Sequence, residues 1–135
     1  MAEAPREVRE RLAAEYQQLL RIAAELQRRI DLVNAALEEI SQAKAAIEEL
    51  EKLDDGEEIL VPVGANVMIR VSYKKTGKLV LGVGGGVFLE RDFEGVRRYL
   101  DRRENALNES LQRIVSEYRK VVARMGEIER QLGAS

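Results

Sequence analysis

Two long stretches of the chain repeat apolar residues in alternating steps of four and three, and a short stretch between them alternates every second residue. In the first long stretch the apolar or near-apolar positions are Leu12, Tyr16, Leu19, Ala23, Leu26, Ile30, Val33, Leu37 and Ile40. That spacing has a period of about 3.5 residues and predicts the seam of a coiled coil. The next seam position is Lys44, which breaks the stripe or leaves Ala43 to fill it, before Ile47 and Leu50 resume it. Between Pro5 and about Leu53 there is no Gly and no internal Pro, so one helix of roughly 70 Å is expected at ~1.5 Å per residue. Pro5 suits its first turn, and Asp54-Asp55-Gly56 is expected to end it, with Gly56 as the left-handed residue past the last turn.

The second seam runs through Leu100, Glu104, Leu107, Leu111, Ile114, Tyr118, Val121, Met125, Ile128 and Leu132, and only Glu104 interrupts it. Asp92 is placed to cap this helix, and Glu94 suits the positive end of its dipole. Gly95 and Gly126 read as weak points, and Gly133-Ala134-Ser135 as a frayed end. Two seams of similar length joined by a short connection predict an antiparallel two-helix coiled coil. Leu20 and Ile22 lie beside the seam and widen the apolar stripe, so some of it faces a third partner or remains exposed. Pairs such as Glu7/Arg11 and Arg21/Glu25 are ordinary surface pairs.

Between the helices, Ile59, Val61 and Val63 alternate with Leu60 and Pro62. Val67, Ile69, Val71 and Tyr73 alternate with Met68, Arg70 and Ser72, and Leu79, Leu81 and Val83 with Val80 and Gly82, before Val87-Phe88-Leu89. With turns at Gly64-Ala65-Asn66, Lys74–Lys78 and Gly84-Gly85-Gly86, this predicts two consecutive β-hairpins. Small hairpins are marginal alone and have open edges, and Leu60 and Val80 make their strands apolar on both faces. A partner sheet is therefore expected: a β-barrel or sandwich between subunits through Ile59, Val61, Val63, Val67, Ile69, Val71, Leu79, Leu81, Val83, Val87 and Leu89. The alternative is a sheet folded back over the helices. The expected fold class is α+β, with a long antiparallel coiled coil joined by two hairpins. Residues 1–56 and 92–135 form its helices and 57–91 its oligomerisation segment.

Composition removes most other chemistry. The 135 residues hold 34% charged and 4% aromatic side chains with no Trp, which suits elongated helices better than a large core. With no Cys and no His, thiolate sites, disulfides and the commonest general base and metal ligand are excluded. The glycine run Gly82–Gly86 lacks the Gly-Lys-Ser/Thr of a phosphate loop, with Val87 where the lysine belongs, and leads into a strand rather than a helix. No catalytic residue, metal or cofactor is expected. A net charge of -2, and Arg97-Arg98 and Arg102-Arg103 interleaved with Glu90, Glu94, Asp101 and Glu104, argue against nucleic acid. The N-terminal segment Met1–Leu12 is charged, without the apolar core of a signal peptide, and no window is apolar enough to span a membrane.

The order helix, two hairpins, helix resembles the alpha-class subunits of prefoldin, an archaeal-type chaperone. The most specific residues are Ile59-Leu60-Val61-Pro62-Val63-Gly64, then Val83-Gly84-Gly85-Gly86-Val87-Phe88-Leu89-Glu90, and Phe93-Glu94-Gly95-Val96-Arg97-Arg98-Tyr99-Leu100. Two hairpins fit the alpha class, whereas the beta class carries one. The resemblance implies a cytoplasmic hexamer of two alpha and four beta subunits on a β-barrel platform. It further implies ATP-independent capture of non-native proteins at the coiled-coil tips and delivery to a group II chaperonin. On that reading the tip residues Val8, Leu12, Tyr16, Leu19, Leu20, Val121, Val122, Met125, Ile128 and Leu132 hold the client. Asn66-Val67 departs from the usual first turn of the family, so a different turn geometry is expected there. A homomeric filament-forming relative, an adaptor coiled coil with one folded partner, and a nucleic-acid-binding arm are the competing readings. The last requires a basic face, and the second predicts saturable binding to a single protein.

Overall fold

A computed structural model describes residues 5–133. The first four residues of the charged N-terminal segment, and Ala134 and Ser135 of the expected frayed end, lie outside the described residues. The order of elements is α1 (Arg6–Glu51), β1 (Glu58–Gly64), β2 (Val67–Ser72), β3 (Lys78–Gly84), β4 (Val87–Asp92) and α2 (Phe93–Gly133). The chain divides into two compact units, one of residues 1–37 with 105–135 and the other of residues 38–104.

In the first unit the two helix segments pack along the expected seam. Leu26, Ile30 and Ile114 are buried, and Val33, Leu111, Val115, Tyr118 and Val121 close around them. Ile128 is fully buried at 0% exposure. Burying such a side chain contributes about 1.5–3 kcal/mol, so the seam has its own tight point near the end of α2. Helical geometry continues through Gly133, where fraying was expected.

In the second unit Ile40, Ile47, Phe93, Val96 and Leu100 are the buried side chains. Lys44, half-buried, does not leave its place to Ala43. Its ammonium group lies 3.1 Å from Glu104 Oε1 and also pairs with Asp101. The two interruptions of the seams are therefore a single ion pair. One heptad along, Arg97 pairs with Glu51.

α1 ends at Glu51, earlier than Asp54-Asp55-Gly56, with Lys52 N–H donating to Glu49 O and Leu53 N–H to Leu50 O, each at 3.2 Å. These tightened bonds close the last turn. Gly56 has φ +83°, but its N–H donates to Tyr73 O at 2.7 Å and Tyr73 N–H donates to Glu57 O at 2.8 Å. Its left-handed conformation thus starts the first hairpin and does not cap α1. Asp55 Oδ1 accepts from Lys75 N–H at 2.9 Å, which ties the acidic linker to the segment leaving β2.

The hairpins are two separate antiparallel two-stranded sheets, β1–β2 and β3–β4. They repeat one another at an offset of 20 residues: Glu58 pairs with Ser72 and Lys78 with Asp92, and each ladder shifts register at the same place, between Pro62 and Gly64 and between Gly82 and Gly84. The turn residues Ala65 and Asn66 have φ of 50° and 64°, and Gly85 and Gly86 have 60° and 74°. Both turns are therefore the left-handed two-residue kind that matches strand twist. The two turns share this geometry, because Asn tolerates the conformation and Ala65 accepts its strain.

β4 runs straight into α2. Asp92 Oδ1 accepts from Gly95 N–H at 2.7 Å, the expected cap. A Cβ on Gly95 would stand 2.8 Å from that same oxygen. Gly95 makes room for the cap and is not simply a weakness.

Candidate functional site

Two surfaces carry apolar side chains that the chain itself does not cover. The first lies in the unit of residues 1–37 and 105–135, towards Pro5 and Gly133. Here two polar links bind α1 to α2 across the seam. Arg124 grips Glu15 with both arms, Nε to Oε2 at 2.8 Å and Nη2 to Oε1 at 3.0 Å, and its Nη1 reaches Glu127 Oε2 at 3.1 Å. Tyr16 O–H donates to Glu129 Oε1 at 2.6 Å. The Arg124 hydrogen bond holds the Glu15 carboxyl below the usual carboxylate range, and the bond to Glu129 raises the Tyr16 hydroxyl above the usual tyrosine value.

Successive residues of a helix diverge by about 100°, so Glu15 and Tyr16 mark the two edges of the seam. Val8 and Ile22 stand seven residues before and after Glu15, on the edge of the charged clamp. Leu20 is one turn beyond Tyr16 and Val122 two turns before Glu129, on the other edge. Val115, seven residues before Val122, packs onto the Leu26–Ile30–Ile114 cluster. The Tyr16–Glu129 edge is thus an apolar strip that ends in Leu20 and Val122, 40% and 43% exposed.

Of the ten residues expected at the tip, Val8, Leu20 and Val122 are exposed, and Leu12, Tyr16, Leu19, Val121, Met125 and Leu132 are half-buried in the seam. Ile128 is fully buried, so it supports the surface from beneath.

The second surface is on the hairpins. Each has one face with half-buried residues: Ile59 and Val71 near the base of the first, and Leu79, Leu81 and Leu89 in the second. Leu81 and Val83 of β3 border a cavity of about 520 Å³ with Ile40, Ala43, Tyr99 and Leu100. No barrel closes within the described residues. Val61, Val63, Val67, Ile69, Val83 and Val87, expected in the assembly surface, are all exposed.

The opposite faces are open as well. Leu60 and Met68 are 55% and 48% exposed, and Val80 and Phe88 are each 68% exposed. Phe88 lies across Gly82, where a Cβ would come within 3.0 Å of its ring. Met68 and Phe88 are absent from the residues expected from alternation, which singles out one face. The apolar Leu60 and Val80 on the other parity were the signal that both faces matter.

Comparison with known proteins agrees with this architecture. The prefoldin subunit family model matches residues 8–134. The chain is 38% identical over 121 residues to prefoldin subunit alpha of Thermofilum pendens, covering 90% of this chain and 94% of that one. It is 29% identical over 77 residues to prefoldin subunit alpha of Methanobrevibacter smithii, 57% of this chain and 53% of that one. Among solved structures, a chain of the filamentous PFD of Methanocaldococcus jannaschii shares the fold at a TM-score of 0.76 with 20% identity, over 86% of this chain and 96% of that chain. Two long helices, two hairpins in place of one, and a match over nearly the whole length lead to one assignment: the chain belongs to the prefoldin family, a family of chaperones and not of enzymes, as an alpha-class subunit.

Proposed function

We propose that this subunit holds non-native proteins at the end of its coiled coil, without ATP, and hands them to a group II chaperonin. The observation that carries the reading is the strip at Leu20 and Val122, apolar and exposed at the edge of a seam that Ile128 and the Glu15–Arg124 clamp keep closed. Unfolded chains expose apolar segments, and a shallow strip binds each of them weakly. Several such strips on one assembly raise the effective affinity without a deep pocket. Prefoldin subunits act as oligomers with other prefoldin subunits. We assign assembly to residues 57–91 and client holding to the coiled coil of α1 and α2. The proposed complex is a cytoplasmic hexamer of two copies of this chain with four beta-class subunits. The open apolar faces of both hairpins support this division of labour.

The test is suppression of aggregation of a denatured client by the assembled complex. L20E/V122E should lose most of the protection while the native mass of the complex is unchanged. Protection equal to wild type would sink the strip as the client site. I69D and L81D should instead dissociate the complex, and a full-mass assembly of both variants would sink the assembly role of the hairpins.

A further inference from the structure

A single free charge borders the Leu20–Val122 end of the apolar strip. One turn away from Leu20 on α1 stand Tyr16, Gln17, Ala23 and Ala24. One turn away from Val122 on α2 stand Tyr118, Arg119, Met125 and Gly126. Of these neighbours Arg119 alone is charged at neutral pH. It is exposed, and among the described residues it makes no ion pair. Glu129 and Asp31, acids on the same edge, have other partners. Glu129 accepts from Tyr16 O–H at 2.6 Å and Asp31 from the Gln27 amide at 3.0 Å. The clamp edge is different, because there Arg124 is held by Glu15 and Glu127. The strip also differs in sign from the whole chain, whose net charge of -2 would by itself favour basic partners.

An arginine in this place does two things. Its aliphatic stem extends the apolar surface while the guanidinium stays in water. The guanidinium presents a planar fork of donors that takes a carboxylate with two bonds, and it repels another cation. Side chains three or four residues apart on a helix are about 5–6 Å apart at Cβ. Alternate side chains of an extended segment stand about 7 Å apart on one face. A client segment can therefore set an apolar side chain on Val122 and a carboxylate on Arg119 when the two are roughly two to four residues apart in its own sequence. We propose that Arg119 determines the specificity of the client strip. It selects apolar segments that carry an acidic residue beside the apolar one, and turns away those that carry a basic residue there. The inference rests on the reading of Leu20 and Val122 as the client strip and names the class of segment that the strip prefers.

The experiment measures binding of three labelled peptides to the full chain by fluorescence anisotropy at low salt, with circular dichroism to confirm helix content in every variant. The peptides share Leu and Phe at alternate positions and differ in one neighbouring residue, which is Glu, Ser or Lys. Wild type should bind the Glu peptide about two- to fivefold more tightly than the Ser peptide, the size of an exposed ion pair, and the Lys peptide more weakly than either. R119Q should bind all three alike, and R119E should invert the order. K120E makes the same change of charge one turn before Arg124, on the clamp edge, and should keep the wild-type order. High salt should remove the preference. Equal binding of the three peptides by wild type, or the wild-type order persisting in R119E, would overturn the inference. So would inversion in K120E, since that would trace the preference to the net charge of the chain. L20S/V122S separates the two levels. If it loses all three peptides while wild type and R119E show no preference, the strip holds clients but Arg119 does not sort them. If it binds all three as wild type does, the reading of the strip falls as well.

Discussion

Lys44 Nζ lies 3.1 Å from Glu104 Oε1, and one heptad along each helix Glu51 meets Arg97 with the polarity reversed. Both pairs sit on the seam, where apolar side chains would bind more strongly. What the reversal supplies is register. A slip of one heptad in one direction brings Lys44 against Arg97, and in the other brings Glu51 against Glu104. Either slip sets like charges on the seam, which is how polar residues at such positions select one alignment. Replacing both partners of a shielded pair by apolar residues is often neutral or stabilising. K44L/E104L is therefore expected to melt at or above the wild-type temperature while losing its single alignment. Because the chain has no Cys, spin labels at introduced Q42C and R102C sites report this directly. One narrow distance in the wild-type background should broaden in K44L/E104L, and a distance that stays narrow would remove register as the role of the pair.

That pair also marks the limit of what was legible along the chain. Both seams could be read, because apolar residues spaced by four and three need only local geometry. Lys44 and Glu104 then looked like two separate defects. Spacing along one helix carries no information about which residue of the other helix it faces. Gly56 and Gly95 were misjudged for the same reason, since their roles depend on Tyr73 O and on Asp92 Oδ1. The strands were legible from their alternation, and Leu60 and Val80 already hinted that both faces are apolar. The candidate client surface was legible in part. Leu19-Leu20 and Val121-Val122 are adjacent apolar pairs of which the seam takes one member, and Leu20 and Val122 are the members left exposed. Ile128 lies on the second seam, so its burial was legible, but that it is covered more completely than its seam neighbours Met125 and Leu132 depends on α1.

Ile128 and Leu20 should accordingly separate stability from client holding. I128A removes buried methyl groups and should cost about 2–5 kcal/mol, seen as a lower melting temperature of the first unit. L20A exposes nothing new and should shift stability by less than about 0.5 kcal/mol. An I128A chain as stable as wild type would show that the end of the seam is not closed as described.

Two glycine substitutions should differ in sign. At Gly126 an added Cβ meets only the Arg130 guanidinium, at 3.6 Å, so G126A should gain about 0.5–1 kcal/mol from helix propensity. At Gly95 the same change drives a Cβ to 2.8 Å from the capping Asp92 Oδ1. Losing that cap costs about 0.5–2 kcal/mol, so G95A should show no gain and D92A a loss. Thermal melts of the three variants decide this, and a G95A chain stabilised as much as G126A would disprove the steric account.

The pH dependence of the coiled coil follows from which protonation state each link needs. Glu15 titrates below its ordinary range in the folded chain because Arg124 hydrogen-bonds its charged form. The folded carboxyl thus releases its proton more readily than the unfolded one. Its stabilisation is complete above the unfolded carboxylate value of about 4.3 and disappears as pH falls through the folded value. Lys44 is raised, first by its hydrogen bond to Asp101 and then by that to Glu104, and Tyr16 is raised by its bond to Glu129. Both groups need their proton. Their stabilisation is complete below the unfolded values of about 10 and disappears as pH rises through the folded ones. The melting temperature should therefore have a flat top around neutrality and fall on both sides. E15Q should flatten the acid limb and leave the alkaline limb in place, and Y16F should reduce the alkaline fall. These groups are partly exposed, so both limbs should also shrink at high salt. Melts across pH for wild type, E15Q and Y16F test the assignment, and an acid limb of unchanged depth in E15Q would show that the Glu15–Arg124 clamp does not carry it.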